Sequence, residues 1–268
     1  MNQIKIIAEI GWNHMGNMSL AKKMILIAKK NGADFCKFQT WSEKNLKPGP
    51  WDTDGRRKIY KKAELTLEKH FLLKKYCKKI GIRFLSSVFS TKDLHLLHKI
   101  NVNEIKIPSH EIHNIKLIKE ASKKFKKVYI STGASKWKEV LKIKKEIKKK
   151  NLVLMHCVSA YPCNIDKINL PRLSKLKKLN YEIGYSGHYQ GIDDAIAAIC
   201  NGAKFVEKHF TINNKLPGRD NKFAILPKQL KDLTDYIKNR SLMLENLGLG
   251  FNDKENNSRL NYTGRFNG

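Results

Sequence analysis

Residues 103–114 read NEIKIPSHEIHN, an apolar alternation that runs into a lysine, a proline, a serine, two histidines and a glutamate. Lys106 lies between Ile105 and Ile107, the surroundings of a buried strand, with Glu111 just beyond it. A buried ammonium needs an anionic partner, so the stretch asks what that partner is. Polar groups recur at the ends of the other short apolar runs. They are Glu9, Lys37 and Gln39, Ser87, Ser109 and Glu111 after Lys106, Ser131, Ser159 and Tyr161, Ser186 and His188, and Glu207 and His209. His188 and His209, with the Glu9 carboxylate beside them, have the chemistry of a divalent transition-metal site that keeps open positions. The plainer alternative makes each histidine a satisfied core residue. Lys37 and Lys106, with the hydroxyls of Ser87, Ser109, Ser131 and Ser159 and no fixed carboxylate between them, describe a pocket for a compact, multiply charged anion. A phosphate ester is the natural guest. A rival reading makes one of the two lysines a Schiff-base nucleophile. A metal half-site beside an anion half-site points instead to metal-assisted addition to a carbonyl.

The elements that must position these groups repeat one unit. Short β-branched runs occur at 4–10, 34–39, 82–88, 104–109, 127–132, 152–159, 182–187 and 204–210, with an amphipathic segment after each. Strict alternation of strand and helix implies a parallel sheet, and eight units imply a closed (β/α)8 TIM barrel. No G-x-G-x-x-G follows any strand, which counts against an open dinucleotide-binding sheet. The expected organisation is a barrel over 1–250 and an irregular tail over 251–268. In a barrel the carboxyl ends of the strands carry the chemistry, and residues two apart on a strand share a face. His188 and His209 then fall on adjacent strands about 5 Å apart. The long insertion after the second strand, with its prolines, glycines and two tryptophans, is expected to cover the substrate.

Composition removes other classes. A chain of 268 residues with 41% hydrophobic content has enough apolar material for one large core, and no apolar run reaches membrane-helix length. The start lacks the layout of a signal peptide. Five cysteines without a C-x-x-C pair suit reduced thiols in the cytoplasm. The net charge of +29 comes from lysines spread along nearly every helix, as in KIKKEIKKK, and no basic run interleaves with aromatics. Nucleic acid is therefore not the expected partner, nor is a membrane. Of the remaining histidines, His14 is expected nearest the substrate because GWNHMGN leads out of Glu9, whereas His156 reads as core.

From residue 4 to residue 230 the sequence resembles the barrel domain of the sialic acid synthase family, the phosphoenolpyruvate-condensing N-acetylneuraminate, legionaminate and pseudaminate synthases. The motifs, in order, are AEIGWNHMGN, KFQT, KIPSHE, STGAS, HCVSAYP, GYSGH, GAKFVEKHF and GRDNKFAILP. The resemblance implies condensation of phosphoenolpyruvate with the open-chain aldehyde of an N-acylated mannosamine-type sugar. The products are a sialic-acid-like nonulosonate and phosphate. His188 and His209 would bind the metal, manganese first, with magnesium or cobalt as alternatives. Glu9, Lys106 and the two histidines would be catalytic. Lys37 would hold the carboxylate end of phosphoenolpyruvate, and Lys106 with Ser87, Ser109, Ser131, Ser159 and Ser186 would surround its phosphate. Gln39, Glu111, Tyr161 and Asp220 would face the sugar. Where the family has G-x-D-H-x-x-S, this chain has Gly218, Arg219, Asp220, Asn221 and then Ala224. The resemblance stops short of the family's usual C-terminal antifreeze-like domain, which brings an arginine to the partner subunit's sugar; Arg219 is the candidate substitute. The expectation is a barrel-only member, acting as a homodimer or with a separate lid-domain protein. The alternatives are condensation onto another aldose, and a non-catalytic barrel that partners a full-length synthase.

Overall fold

In a computed structural model, residues 4–50, 52–147 and 151–266 are described. Eight strands alternate with helices: β1 (Lys5–Glu9), α1 (Met18–Lys30), β2 (Phe35–Thr40), α2 (Arg56–Ala63), α3 (Leu67–Ile80), β3 (Arg83–Val88), α4 (Thr91–Lys99), β4 (Glu104–Ile107) and α5 (Ile115–Lys124). The order continues with β5 (Lys127–Ser131), α6 (Trp137–Glu146), β6 (Leu152–Cys157), α7 (Pro171–Lys177), β7 (Glu182–Gly187), α8 (Asp193–Cys200), β8 (Phe205–His209), α9 (Pro227–Met243) and α10 (Asn256–Tyr262). The strands pair in sequence order, all parallel, and β1 closes the ring on β8. This is the expected (β/α)8 TIM barrel.

Local signals start and stop the helices. Asn17, Thr66, Ser90 and Asn114 cap α1, α3, α4 and α5 by accepting from a backbone N–H in the first turn. Gly81, in the left-handed region at φ 71°, ends α3.

Strand alternation builds the interior in two storeys. Ile7, Phe35, Leu85, Tyr129, Val153, Met155 and Phe205 pack together as an apolar floor. One step of two residues further along the strands, the same inward face carries Glu9, Lys37, Ser87, Ser131, Cys157 and Glu207. The groups above this floor are themselves buried, so their charges and dipoles interact in a low-dielectric cup at the carboxyl end of the barrel.

Two departures from expectation concern the margins. The insertion after β2 is not a bare loop: it contains α2, and its Trp41 and Tyr60 pack on Trp12, with Trp12–Trp41 ring centroids 6.1 Å apart and Trp12–Tyr60 5.1 Å. The chain divides into two compact units, Met1–Tyr236 and Ile237–Gly268. The second unit is not irregular throughout, because it holds a 3-10 turn over Asp253–Glu255 and the helix α10. Its turn is capped by Asn252.

Candidate active site

At the centre of the polar storey, two lysines and two carboxylates interlock. Lys37 Nζ lies 2.8 Å from Glu9 Oε1 and 3.5 Å from Glu207 Oε1, and donates to Ser87 Oγ at 2.9 Å. Gln39 Nε2 donates to the same Glu9 oxygen at 2.8 Å. Lys106 reaches across the barrel, donating to Glu207 Oε1 at 2.7 Å and to Ser186 Oγ at 3.0 Å. This corrects the expectation that no fixed carboxylate stands between the lysines: Glu207 does, and Glu9 flanks it. The partner that Lys106 demanded is Glu207.

Burial makes these charges responsive. Glu9 is pushed from 4.5 up to about 7 by desolvation, with Glu207 adding and Lys37 opposing. Burial alone would raise Glu207 too, but Lys106 and Lys37 outweigh it and hold that carboxyl below its ordinary value. Burial lowers Lys106 despite Glu207, whereas Glu207 and Glu9 together overcome burial at Lys37 and raise it. The second carboxylate oxygens of both acids, Glu9 Oε2 and Glu207 Oε2, are buried without a hydrogen-bond partner. Unpartnered buried acceptors beside ammonium groups mark a cup shaped for another molecule or ion.

A hydroxyl wall faces this cluster. Ser109 Oγ accepts from the Gly133 N–H at 3.2 Å. A Cβ on Gly133 would lie 2.5 Å from Ser159 Oγ and 2.8 Å from Ser109 Oγ, so both hydroxyls converge where only glycine leaves room. Ser131 Oγ is buried with no partner.

The two histidines stand side by side, ring centroids 5.4 Å apart. His188 Nδ1 is 2.7 Å from the Val158 carbonyl, and His209 Nδ1 is 3.4 Å from Asp220 Oδ2. At His188, an Nδ1–H that points at the carbonyl presents Nε2 as a lone pair, the usual arrangement in metal-binding histidines, whereas His209 Nδ1 is buried without a hydrogen-bond partner. Burial holds His209 well below its ordinary value and therefore neutral. At His188 burial also lowers, but Cys157 and the Val158 carbonyl more than offset it. Burial lifts the Asp220 carboxyl to about 6. Among the described residues, no three His, Cys, Asp or Glu side chains form a ready-made cage for a metal ion. Two adjacent imidazoles are what the described residues offer as nitrogen donors at this place.

The residues expected on the sugar side separate. Tyr161 lies tilted against His188, ring centroids 4.1 Å apart, and is 56% exposed, which puts it at the open lip. Asp220 and Gln39 touch His209 and Glu9 as described. Glu111 instead starts the approach to α5, where the Asn114 side-chain amide donates to it at 3.3 Å. Arg219 turns its guanidinium onto Asp54 of the insertion at 2.9 Å. His14 is not at the lip. Its ring packs on Phe38, which points away from the cup between Lys37 and Gln39, and it lies near Lys69 and His70 of α3. His156 is core, 2.7 Å from the Ile168 carbonyl. Sequence reasoning missed the role of Glu207, although its place two residues before His209 put it on the inward face. It also missed Phe223, which packs on His209 at 5.1 Å.

The NeuB family profile matches residues 24–247. The N,N'-diacetyllegionaminic acid synthase of Campylobacter jejuni is 36% identical over 255 residues, covering 89% of this chain and 76% of that protein. The pseudaminic acid synthase of Campylobacter jejuni is 31% identical over 273 residues, covering 96% of this chain and 80% of that protein. Among solved structures, the N-acetylneuraminic acid (sialic acid) synthetase of Leptospira borgpetersenii superposes with a TM-score of 0.87 at 31% identity. It covers 97% of this chain and 93% of its own. A Thermotoga maritima DAHP synthase, 15% identical with a TM-score of 0.71, shares the fold. Among the described residues, no helix is long and apolar enough to cross a membrane.

Proposed function

The chain belongs to the NeuB family, and from that membership and the barrel cup we propose that it joins phosphoenolpyruvate to the open-chain aldehyde of an N-acylated mannosamine-type sugar. The products are a nine-carbon 2-keto acid and inorganic phosphate. One observation carries the reading: two lysines with converging hydroxyls share a cup with a pair of adjacent imidazoles, of which His188 has its Nδ1 on the Val158 carbonyl.

Lys106, with Ser186 beside it and the hydroxyls of Ser109, Ser131 and Ser159 opposite, would take the phosphate. Lys37 and Ser87 would take the carboxylate end. Each lysine exchanges one fixed carboxylate contact for a substrate oxygen, so binding redistributes charge within the cup rather than adding it unopposed. His188 and His209 would hold a divalent cation, manganese in preference to magnesium or cobalt, which when bound supplies Lewis-acid polarisation of an aldehyde oxygen. Asp220 lies 3.4 Å from His209 Nδ1, and Tyr161, Gln39 and Asp220 would border the acceptor. C3 of phosphoenolpyruvate forms the new bond to the aldehyde carbon, whose oxygen takes up a proton to become a hydroxyl. Water adds at C2, and the C2–O bond to phosphate breaks as the C2 hydroxyl gives its proton to the departing phosphate and becomes the ketone. Glu9 Oε2, unpartnered and with its carboxyl near 7, is the atom to receive the proton that water gives up. Fixed dipoles and cations hold the departing phosphate without reorganising.

The acceptor side of the cup is open around Tyr161, which suits closure by a second copy of the chain or by a separate lid-domain protein. Five free cysteines, four of them buried, suit a cytoplasmic setting. The chemical step is tested by turnover in 18O-labelled water. C–O cleavage leaves the released phosphate unlabelled; labelled phosphate would mean attack at phosphorus and would overturn the mechanism.

A further inference from the structure

Directly behind the histidine pair lies a second ion pair, on the outer face of the barrel. Lys208 precedes His209 on β8 and points the opposite way, toward the start of α8. Its ammonium donates to Asp194 Oδ1 at 2.9 Å, to Asp194 Oδ2 at 2.7 Å and to the Tyr189 carbonyl at 2.7 Å, which uses all three of its protons. The Asp194 carboxylate also accepts from Tyr185 Oη at 2.9 Å and from the Ala195 N–H at 2.8 Å. The Lys208 and Asp194 side chains are 2% and 0% exposed. The strand end is pressed against this network, because a Cβ on Gly187 would meet Asp194 Oδ2 at 2.2 Å and Tyr185 Cε1 at 2.5 Å.

Buried ion pairs are seldom the most stabilising choice, since apolar residues of similar volume do as well. Placement explains this one. Tyr189 follows His188, and Lys208 precedes His209, so a single ammonium bridges the two segments that carry the imidazoles. The bond to the Tyr189 carbonyl holds the His188 loop, and the two bonds to Asp194 lock the arm to α8. His209 is tethered on its other side by the Ile225 N–H, 2.8 Å from its carbonyl.

We propose that the Lys208–Asp194 pair is a positioning clamp that sets the separation of His188 and His209 and thereby the affinity for the divalent cation. The inference rests on the metal reading above and assigns these residues no contact with substrate.

The test measures Mn2+ binding directly, by the EPR signal of free Mn2+, on full-length protein without substrates. The proteins are the unaltered chain, Asp194→Asn, the neutral double variant Lys208→Met/Asp194→Asn, and His209→Ala. Thermal unfolding is recorded for each. Removing both charges leaves neither buried ion stranded, so the double variant is expected to melt cooperatively near the unaltered protein. Both clamp variants are expected to bind Mn2+ roughly 10- to 100-fold more weakly, the range typical of losing support behind a metal-binding histidine. A cooperatively folded double variant with Mn2+ affinity within about 3-fold of the unaltered chain would overturn the clamp, given that a 10-fold loss is the low end of that range. Equal Mn2+ binding by His209→Ala and the unaltered chain, or none by either, would overturn the metal reading and the clamp with it.

Discussion

Replacing Lys106 with methionine keeps most of the apolar stem of the side chain and removes its charge. Glu207 then loses a partner at 2.7 Å and keeps only Lys37 at 3.5 Å and the Ser186 hydroxyl at 3.3 Å. Stranding one member of a buried pair costs about 3–5 kcal/mol. For a chain of this size each kcal/mol moves Tm by about 2–4 °C, so Lys106→Met should melt roughly 6–20 °C lower. Lys37 remains to neutralise part of the stranded charge, which favours the lower end. Lys106→Met/Glu207→Met removes both charges and should recover much of the loss. Urea unfolding of the four proteins closes the cycle, with an expected coupling of about 2 kcal/mol. The pH dependence has a definite sign. Glu207 is held below its ordinary value, so its contribution is full above the unfolded carboxylate value of about 4.3 and is lost as pH falls through the folded value beneath it. The gap between Lys106→Met and the unaltered protein should therefore narrow in acid. Single variants whose effects add to within about 0.5 kcal/mol would show that the pair is not coupled and refute the reasoning.

Glu9→Gln should lower kcat by roughly 10²- to 10⁴-fold and erase a limb of the kcat/KM profile near pH 7, where the Glu9 carboxyl titrates. Its linkage sign is the reverse of that for Glu207. Glu9 is raised from 4.5 to about 7, so its contribution to stability is present at low pH and is lost as pH rises through that window. The unaltered protein should lose stability relative to Glu9→Gln between pH 5 and 8, as followed by thermal melts. Gly133→Ala would drive a methyl onto Ser159 and Ser109, and should raise the KM for phosphoenolpyruvate by about 10-fold or more; an unchanged KM in a folded variant would remove the hydroxyl wall from the site. Borohydride added during turnover should leave the protein mass unchanged, because Lys106 is engaged by Glu207 and Ser186 rather than poised as a nucleophile. A reduced adduct on Lys106 would restore the Schiff-base route.

The barrel was legible because eight short β-branched runs alternate strictly with amphipathic segments, an order that implies a parallel sheet. The polar storey was legible because residues two apart on a strand share a face, and Glu9, Lys37, Ser87, Ser131 and His209 sit at equivalent ends of their strands. What closure of the ring adds was not legible. Lys106 meets Ser186 and Glu207 from the far side of the barrel, a contact with no local signature. His14 was misplaced because the chain turns at Gly11, whose φ is positive, just after β1, and His14 then packs on Phe38. The helix α2 was hidden because RRKIYKKA shows only Ile59, Tyr60 and Ala63 as apolar positions, and Gly55 offers it no side-chain cap. The helix α10 buries none of its residues and so leaves no apolar stripe to read.

The central claim is that the cup consumes phosphoenolpyruvate only when an N-acylated sugar and a divalent cation are present. Phosphate release from phosphoenolpyruvate by the purified protein tests it, with manganese or with chelator, and with N-acetylmannosamine or diacetamido-trideoxyhexoses as acceptors. Release that depends on one class of sugar and disappears with chelator is the predicted result. Release that ignores both sugar and chelator, or no release with any acceptor while phosphoenolpyruvate still binds, would contradict it.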